Sequence, residues 1–209
     1  VYGASAIAVL LAGSAFWCFT YGLQQFFLDD FWKPLIDLIT YGGILLVPAA
    51  WLIFSFQHTG RAHWVNRRAI ALLCLEPLLF IIALATDPLH HLFYVSKSLV
   101  WINGYAYLLL GHGPLFWVNA IYSYLLLLVG SILLVRSMLH APALYRSQTI
   151  ALLVAVAAPW VANLIYNLGL SPVPGLDLTP LAFTVSGLAI VLGVLRYRLL
   201  DLTPLARDA

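Results

Sequence analysis

Polar and apolar positions alternate along this chain in long blocks, not residue by residue. No Asp, Glu, Lys or Arg occurs in Leu38–Gly60, Ser98–Val135, Ser147–Leu176 or Leu178–Leu195. A helix needs about 20 apolar residues to cross the hydrocarbon of a bilayer, where it satisfies its own backbone hydrogen bonds. The pattern predicts six spans, at about 3–27, 35–57, 68–86, 115–138, 148–169 and 178–198. The short alternating segments of a membrane β-barrel are absent. One connection is long, Asp87–Pro114, and within it Asn103-Gly104 stands between two runs rich in aromatic and β-branched residues. Asn-Gly is the strongest short hairpin signal, so a hairpin over about 93–111 is predicted as a lid on the helix ends. The expected fold is an all-α integral membrane helical bundle with a small extracellular β-hairpin, a single transmembrane domain over residues 1–209.

Composition agrees: 63% of residues are hydrophobic and 9% charged, against about 25% charged in soluble domains. The few cations give the orientation. Arg61, Arg67, Arg68, Arg136, Arg146, Arg196, Arg198 and Arg207 fall at one set of helix ends, and Lys33 and Lys97 in the loops at the other. The positive-inside rule makes the arginine side cytoplasmic, together with both visible termini. The net charge of +2 and the lack of a basic cluster leave no expectation of nucleic acid. Cys18 and Cys74 read as small apolar residues within spans, not as a disulfide. Without a Lys inside a span, a retinal Schiff base is excluded. The first residues lie inside an apolar stretch without signal-peptide architecture, so the start, and with it the end, reads as trimmed.

Polar groups within spans are costly, so their positions are informative. Asn119, Tyr122 and Ser123 share a face of the fourth span, and Asn163, Tyr166 and Asn167, with Trp160, share one of the fifth. Tyr21, Gln24, Gln25, Asp37, Tyr41, Asp177, Thr179 and Thr184 fall at the same depth, near the external ends. The cytoplasmic halves are nearly bare. Either these groups bond neighbouring helices or they line a cavity open outward and closed inward; as a cluster they favour the cavity. Glu76 lies about 16 Å below the external end at 1.5 Å per residue and precedes Pro77, which frees a carbonyl one turn earlier. It is a switch or ligand contact, or else a neutral acid bonded to a nearby Tyr or Asn. For His90, His91 and His112 interfacial packing or capping is preferred to metal ligation, because adjacent histidines seldom both reach one ion. No cofactor or metal is expected.

Five stretches carry a resemblance: LLVPAAWLIFSFQHTGR (45–61), EPLLFIIALATDPLHHLFY (76–94), HGPLFWVNAIYSYLLLL (112–128), GLSPVPGLDLTPLAFTVSGL (169–188) and RYRLLDLTPLARDA (196–209). In this order they resemble the seven-helix N-terminal sensing module of prokaryotic histidine kinases. The resemblance implies a seventh helix before the first visible span, and a PAS, kinase or diguanylate-cyclase output module in cis beyond the last. It also implies a homodimer. Its Pro and Gly positions, Pro88, Gly113, Pro114, Pro172, Pro174 and Gly175, would shape helix ends. Its His and Asp positions become candidates for ligand or lid contacts.

The expected function is therefore a sensor in the cell membrane that converts an external or membrane stimulus into motion of the last span, with the bilayer and an unknown small ligand as partners. The candidate ligand-binding set is Glu76, His90, His91, Trp101, His112, Asn119, Tyr122, Tyr166, Asn167 and Asp177, with no catalytic residue. A small-solute transporter is the alternative class, though polar groups through the full depth and an inverted repeat would then be wanted. A membrane metalloenzyme would need several ligands at one depth.

Overall fold

A computed structural model describes residues 4–29, 31–139 and 143–197. The helices are α1 (Ala4–Gln24), α2 (Trp32–Ile44), α3 (Leu46–His58), α4 (Arg67–Ala85), the single turn α5 (Asp87–His90), α6 (Pro114–Leu139), α7 (Ala143–Asn167) and α8 (Thr179–Tyr197). The strands β1 (Tyr94–Ile102) and β2 (Tyr105–His112) stand between α5 and α6 as an antiparallel pair. The expected span boundary at residue 3, His140, the side chain of Arg196 and the segment 198–209 with Arg198 and Arg207 lie outside the described residues.

Five helical segments are long and apolar enough to cross a membrane: Ser5–Gln24, Trp32–His58, Arg67–Ala85, Pro114–Leu139 and Thr149–Asn167, with a shorter apolar stretch at Thr179–Leu188. Large apolar side chains cover their outer surfaces, as at Phe19 (70% exposed), Leu72 (69%) and Leu181 (66%). A water-soluble chain does not leave such a surface uncovered. The expected second span is two helices in one line, α2 and α3, interrupted at Leu45. Pro48 accounts for the break, since it cannot donate to the carbonyl four residues earlier, Ile44.

The α2–α3 segment is the middle of the bundle, with 61% of its most apolar window buried, and α4 the periphery, with 6%. One apolar cluster joins Ile7, Trp51, Phe54, Leu127, Leu134 and Leu152. A second, nearer the hairpin, joins Tyr41, Leu45, Phe80, Phe93, Tyr94 and Phe116. The helices α1 and α2 touch backbone to backbone, for a Cβ on Gly43 would lie 2.6 Å from the Gly13 carbonyl oxygen. Small residues at such crossings supply the close packing that drives helix association where lipid removes the hydrophobic advantage.

Two further prolines free carbonyls inside helices, and hydroxyls from neighbouring helices take both. Pro77 leaves the Leu73 carbonyl without its helical donor, and the Tyr122 hydroxyl of α6 donates to it at 3.3 Å. Pro159 does the same to Ala155, and Ser186 Oγ of α8 donates to that oxygen. Both proline sites are thus tied to an adjacent helix.

The hairpin turns as its sequence demands, with Asn103 at φ 52° and Gly104 at φ 83°. Its near end is anchored by Asp87, whose Oδ1 accepts the N–H groups of Phe93 at 2.9 Å and Tyr94 at 3.2 Å. Lys97 Nζ lies 3.1 Å from Oδ2 of the same carboxylate. Burial pushes the Asp87 carboxyl up, but the two N–H groups and Lys97 outweigh it and hold the group below the usual carboxylate range. The strand pair lies on the helix ends through Tyr94, Ala106 and Leu108, all buried, and leaves Val95, Trp101 and Tyr105 exposed.

The two lysines are not simple loop charges. Lys33 lies in the first turn of α2, 1% exposed, and donates to the Gln24 carbonyl at 3.2 Å. That carbonyl ends α1, where helical acceptors lack donors and a cation is favoured. Lys97 sits on β1, bound to Asp87.

Candidate functional site

Beneath the hairpin, between α1, α2–α3, α6, α7 and α8, lies a cavity of about 440 Å³. Small-molecule sites commonly occupy about 300–1,000 Å³. Its two ends differ in chemistry. Tyr21, Asp37, Tyr94, Tyr166 and Asp177 line it near the hairpin, and Ile7, Phe54, Leu127 and Leu152 line it away from the hairpin.

Each polar group arrives by a separate route. Asp37 and Tyr41 occupy successive turns of α2 and so share a face. Tyr94, the first residue of β1, reaches down between the helices from the strand that Asp87 anchors. Its hydroxyl bonds Asp37 Oδ2 at 3.3 Å and the Tyr41 hydroxyl at 2.9 Å. The hairpin is thereby tied to α2 by a buried polar chain. On the far side, Tyr21 of α1 accepts the Asp177 N–H at 2.8 Å. Asp177 Oδ1 accepts the Thr179 N–H at 2.8 Å and the Thr179 hydroxyl as α8 begins. Burial pushes the Asp177 carboxyl up to about 6 although the Thr179 bonds oppose it.

A third network joins α6 to α7. The Tyr124 hydroxyl donates to Asn163 Oδ1 at 2.9 Å, and Asn167 Nδ2 donates to Tyr124 at 3.0 Å and to Asn163 at 2.9 Å. His112 lines the cavity under β2, stacked on Phe116 with ring centres 3.7 Å apart. Burial holds its imidazole down at about 4, so it is uncharged at neutral pH.

The structure divides the ten sequence candidates. His112, Asn119, Tyr166, Asn167 and Asp177 line the cavity. Glu76 and Tyr122 lie at the contact of α4 and α6, where Glu76 Oε1 accepts from Asn119 Nδ2 at 2.8 Å and Tyr122 serves the Leu73 carbonyl. His90 belongs to the turn at the base of the hairpin: its Nδ1 accepts the Leu92 N–H at 3.0 Å and its Nε2 lies 3.3 Å from the Thr86 hydroxyl. His91 ends that turn in the left-handed region, at φ 54°. Trp101 is exposed near the tip of the strand pair. Tyr21, Asp37, Tyr41, Tyr94, Tyr124 and Asn163 also line the cavity, outside the candidate set. Shared depth was the signal for four of them. Tyr94 reads only as a hairpin aromatic resting on the helix ends, and Tyr124 falls in a half that reads as bare.

The glycine of the His112-Gly113-Pro114 stretch has a steric role. Its N–H donates to the Phe93 carbonyl at 2.8 Å, and a Cβ there would lie 2.3 Å from the Leu92 carbonyl oxygen. Any side chain would push the returning strand off the base of the hairpin and disturb Tyr94.

The family model described as the N-terminal 7TM region of histidine kinase matches residues 1–204. No curated protein matches the chain, and neither does any solved structure. Helices suited to a bilayer, a polar cavity under a strand pair and this match over nearly the whole length converge: the chain belongs to the N-terminal 7TM region of histidine kinase, a multi-pass membrane sensor family.

Proposed function

We propose that this region binds a small molecule from the extracellular side, beneath the hairpin, and transmits the event through α8 to a kinase-type output module on the cytoplasmic side. The cavity carries this reading: its polar groups gather under the hairpin and its other end is lined by apolar side chains. The arginine asymmetry supports the orientation. In this scheme the ligand favours one of two packings of the helices, and it shifts the balance only by its difference in affinity for the two. Ser186 on Ala155 joins α8 to the bend in α7, so a change about Pro159 reaches the last helix directly. The same reading makes the working unit a homodimer, with the hairpin as lid.

The test fills the cavity. Ala120 and Ala155 line it and are buried, so Ala120→Phe and Ala155→Leu occupy the space a ligand would. In the full-length kinase, each variant is expected to hold autophosphorylation at one level and to abolish its modulation, with membrane abundance unchanged. Autophosphorylation identical to wild type in both variants overturns the proposal.

A further inference from the structure

The cavity is rich in negative charge and lacks a permanent positive one. Asp37 and Asp177 both line it, close enough for Asp37 to feel the charge of Asp177. Among the described lining residues there is no lysine or arginine. Lys33, one turn before Asp37, is turned to the Gln24 carbonyl. Lys97 acts on Asp37 through space but is in contact with Asp87, at 3.1 Å. His112 is neutral, as burial dictates.

Asp177 is 6% exposed. Its Oδ1 accepts both Thr179 bonds, from the backbone and from the hydroxyl, and the residue lines the cavity. A carboxylate held largely out of water is costly, and an opposite charge relieves that cost.

Phenol rings surround these carboxyls. Tyr166 interacts electrostatically with Asp37, Asp177, Tyr21 and Tyr41, so five groups share one end of the cavity. Tyr94 joins them through its bonds to Asp37 and Tyr41. Aromatic faces attract cations, most strongly where water is scarce. A bare metal ion is a poor match, because it wants several close ligands; among the described residues no three His, Cys, Asp or Glu are grouped to hold one. An anionic ligand would meet two like charges.

We propose that the cavity selects organic cations: an ammonium head between Asp37 and Asp177 among the tyrosines, with an apolar remainder toward Trp160, Leu127 and Leu152. This rests on the cavity being the sensor's ligand site, and it adds the ligand's charge and shape.

The test uses the full chain in lipid nanodiscs. The probes are choline, phenethylammonium and hexyltrimethylammonium, each beside an uncharged alcohol of matched shape. Trp17, Trp51 and Trp160 line the cavity and report occupancy by fluorescence, with empty nanodiscs giving the lipid background. At least one ammonium is expected to bind tenfold or more tightly than its matched alcohol. Asp177→Asn and Asp37→Asn, which keep an acceptor oxygen, are each expected to weaken it at least tenfold. Alcohols that bind as tightly as the ammoniums, or ammonium affinity unchanged in both Asn variants, overturn the proposal. If the alcohols bind and Ala120→Phe excludes them, the cation inference fails and the ligand-site reading survives. If no probe binds and Ala120→Phe leaves kinase output unaltered, both fail.

Discussion

The Tyr122 hydroxyl donates to the Leu73 carbonyl at 3.3 Å, the one acceptor in α4 that Pro77 deprives of its helical donor. Ser186 stands in the same relation to Ala155 and Pro159. A carbonyl freed by proline is thus taken up by a hydroxyl on a neighbouring helix.

Removing that hydroxyl tests the relation. Tyr122→Phe is expected to cost about 0.5–1.5 kcal/mol, the range of hydrogen bonds between membrane helices. Pro77→Ala returns an N–H donor to the Leu73 carbonyl, so in that background Tyr122→Phe should cost close to nothing. Thermal unfolding in detergent of the four proteins in the cycle reads the difference. Equal cost in both backgrounds shows that Tyr122 does not serve the bend.

Asp87 holds the base of the hairpin. Its folded-state carboxyl titrates below the ordinary range, so its contribution is present above the unfolded value of about 3.9 and is lost as pH falls through the folded one. Asp87→Ala leaves the Phe93 and Tyr94 N–H groups and Lys97 without their acceptor, at a cost on the order of 3 kcal/mol. Hydrogen exchange at Phe93 and Tyr94 should rise sharply, while α6 and α7 remain protected. Unchanged exchange in the variant at neutral pH contradicts the anchor.

Asp177 has the opposite sign. Its folded-state value is raised to about 6, so its contribution is fully present below the unfolded value of about 3.9 and lost as pH rises through about 6. The groups that face it are Cys18 and Tyr21 on α1, Asp37 and Tyr41 on α2, Tyr124 on α6, Tyr166 on α7 and Thr179 on α8. At pH 7.5 Asp177→Asn should therefore raise the melting temperature while weakening ammonium binding. Wild-type affinity for the same probe should fall between pH 7 and pH 5. A melting temperature lowered by Asp177→Asn at pH 7.5 contradicts this assignment.

The crossing of α1 and α2 predicts a steric effect. A Cβ on Gly43 meets backbone atoms at 2.6 and 2.9 Å, whereas one on Gly22, on the same α1, meets nothing within 4 Å. Gly43→Ala is expected to cost about 1–3 kcal/mol, as overpacking does, and Gly22→Ala to cost nothing. Thermal unfolding of the pair separates tight packing from any general effect of losing a glycine.

The helical spans were legible because charge-free runs have the length a bilayer imposes, and the hairpin because Asn103-Gly104 permits few other conformations. Which face of a helix meets which neighbour was much less so. Lipid is as apolar as leucine, so a membrane helix need not carry the amphipathic stripe that orients a helix in water. Asn119 could be given a depth from sequence but not its partner Glu76. Lys33 reads as a loop charge because nothing local reveals that the end of α1 sits nine residues behind it in sequence and directly against its ammonium. Tyr94 is a related case: as a hairpin aromatic it reads as resting on the helix ends, and nothing local announces that it penetrates the bundle.

The hairpin grips two distant parts of the chain. Through Tyr94 it holds α2 at Asp37 and Tyr41, and the Leu108 carbonyl of β2 comes so near Gly175, just before α8 starts, that a Cβ there would lie 2.9 Å from it. It works as a yoke across the mouth of the bundle. Displacing the strand pair would therefore pull on an early helix and on the entry to α8 together.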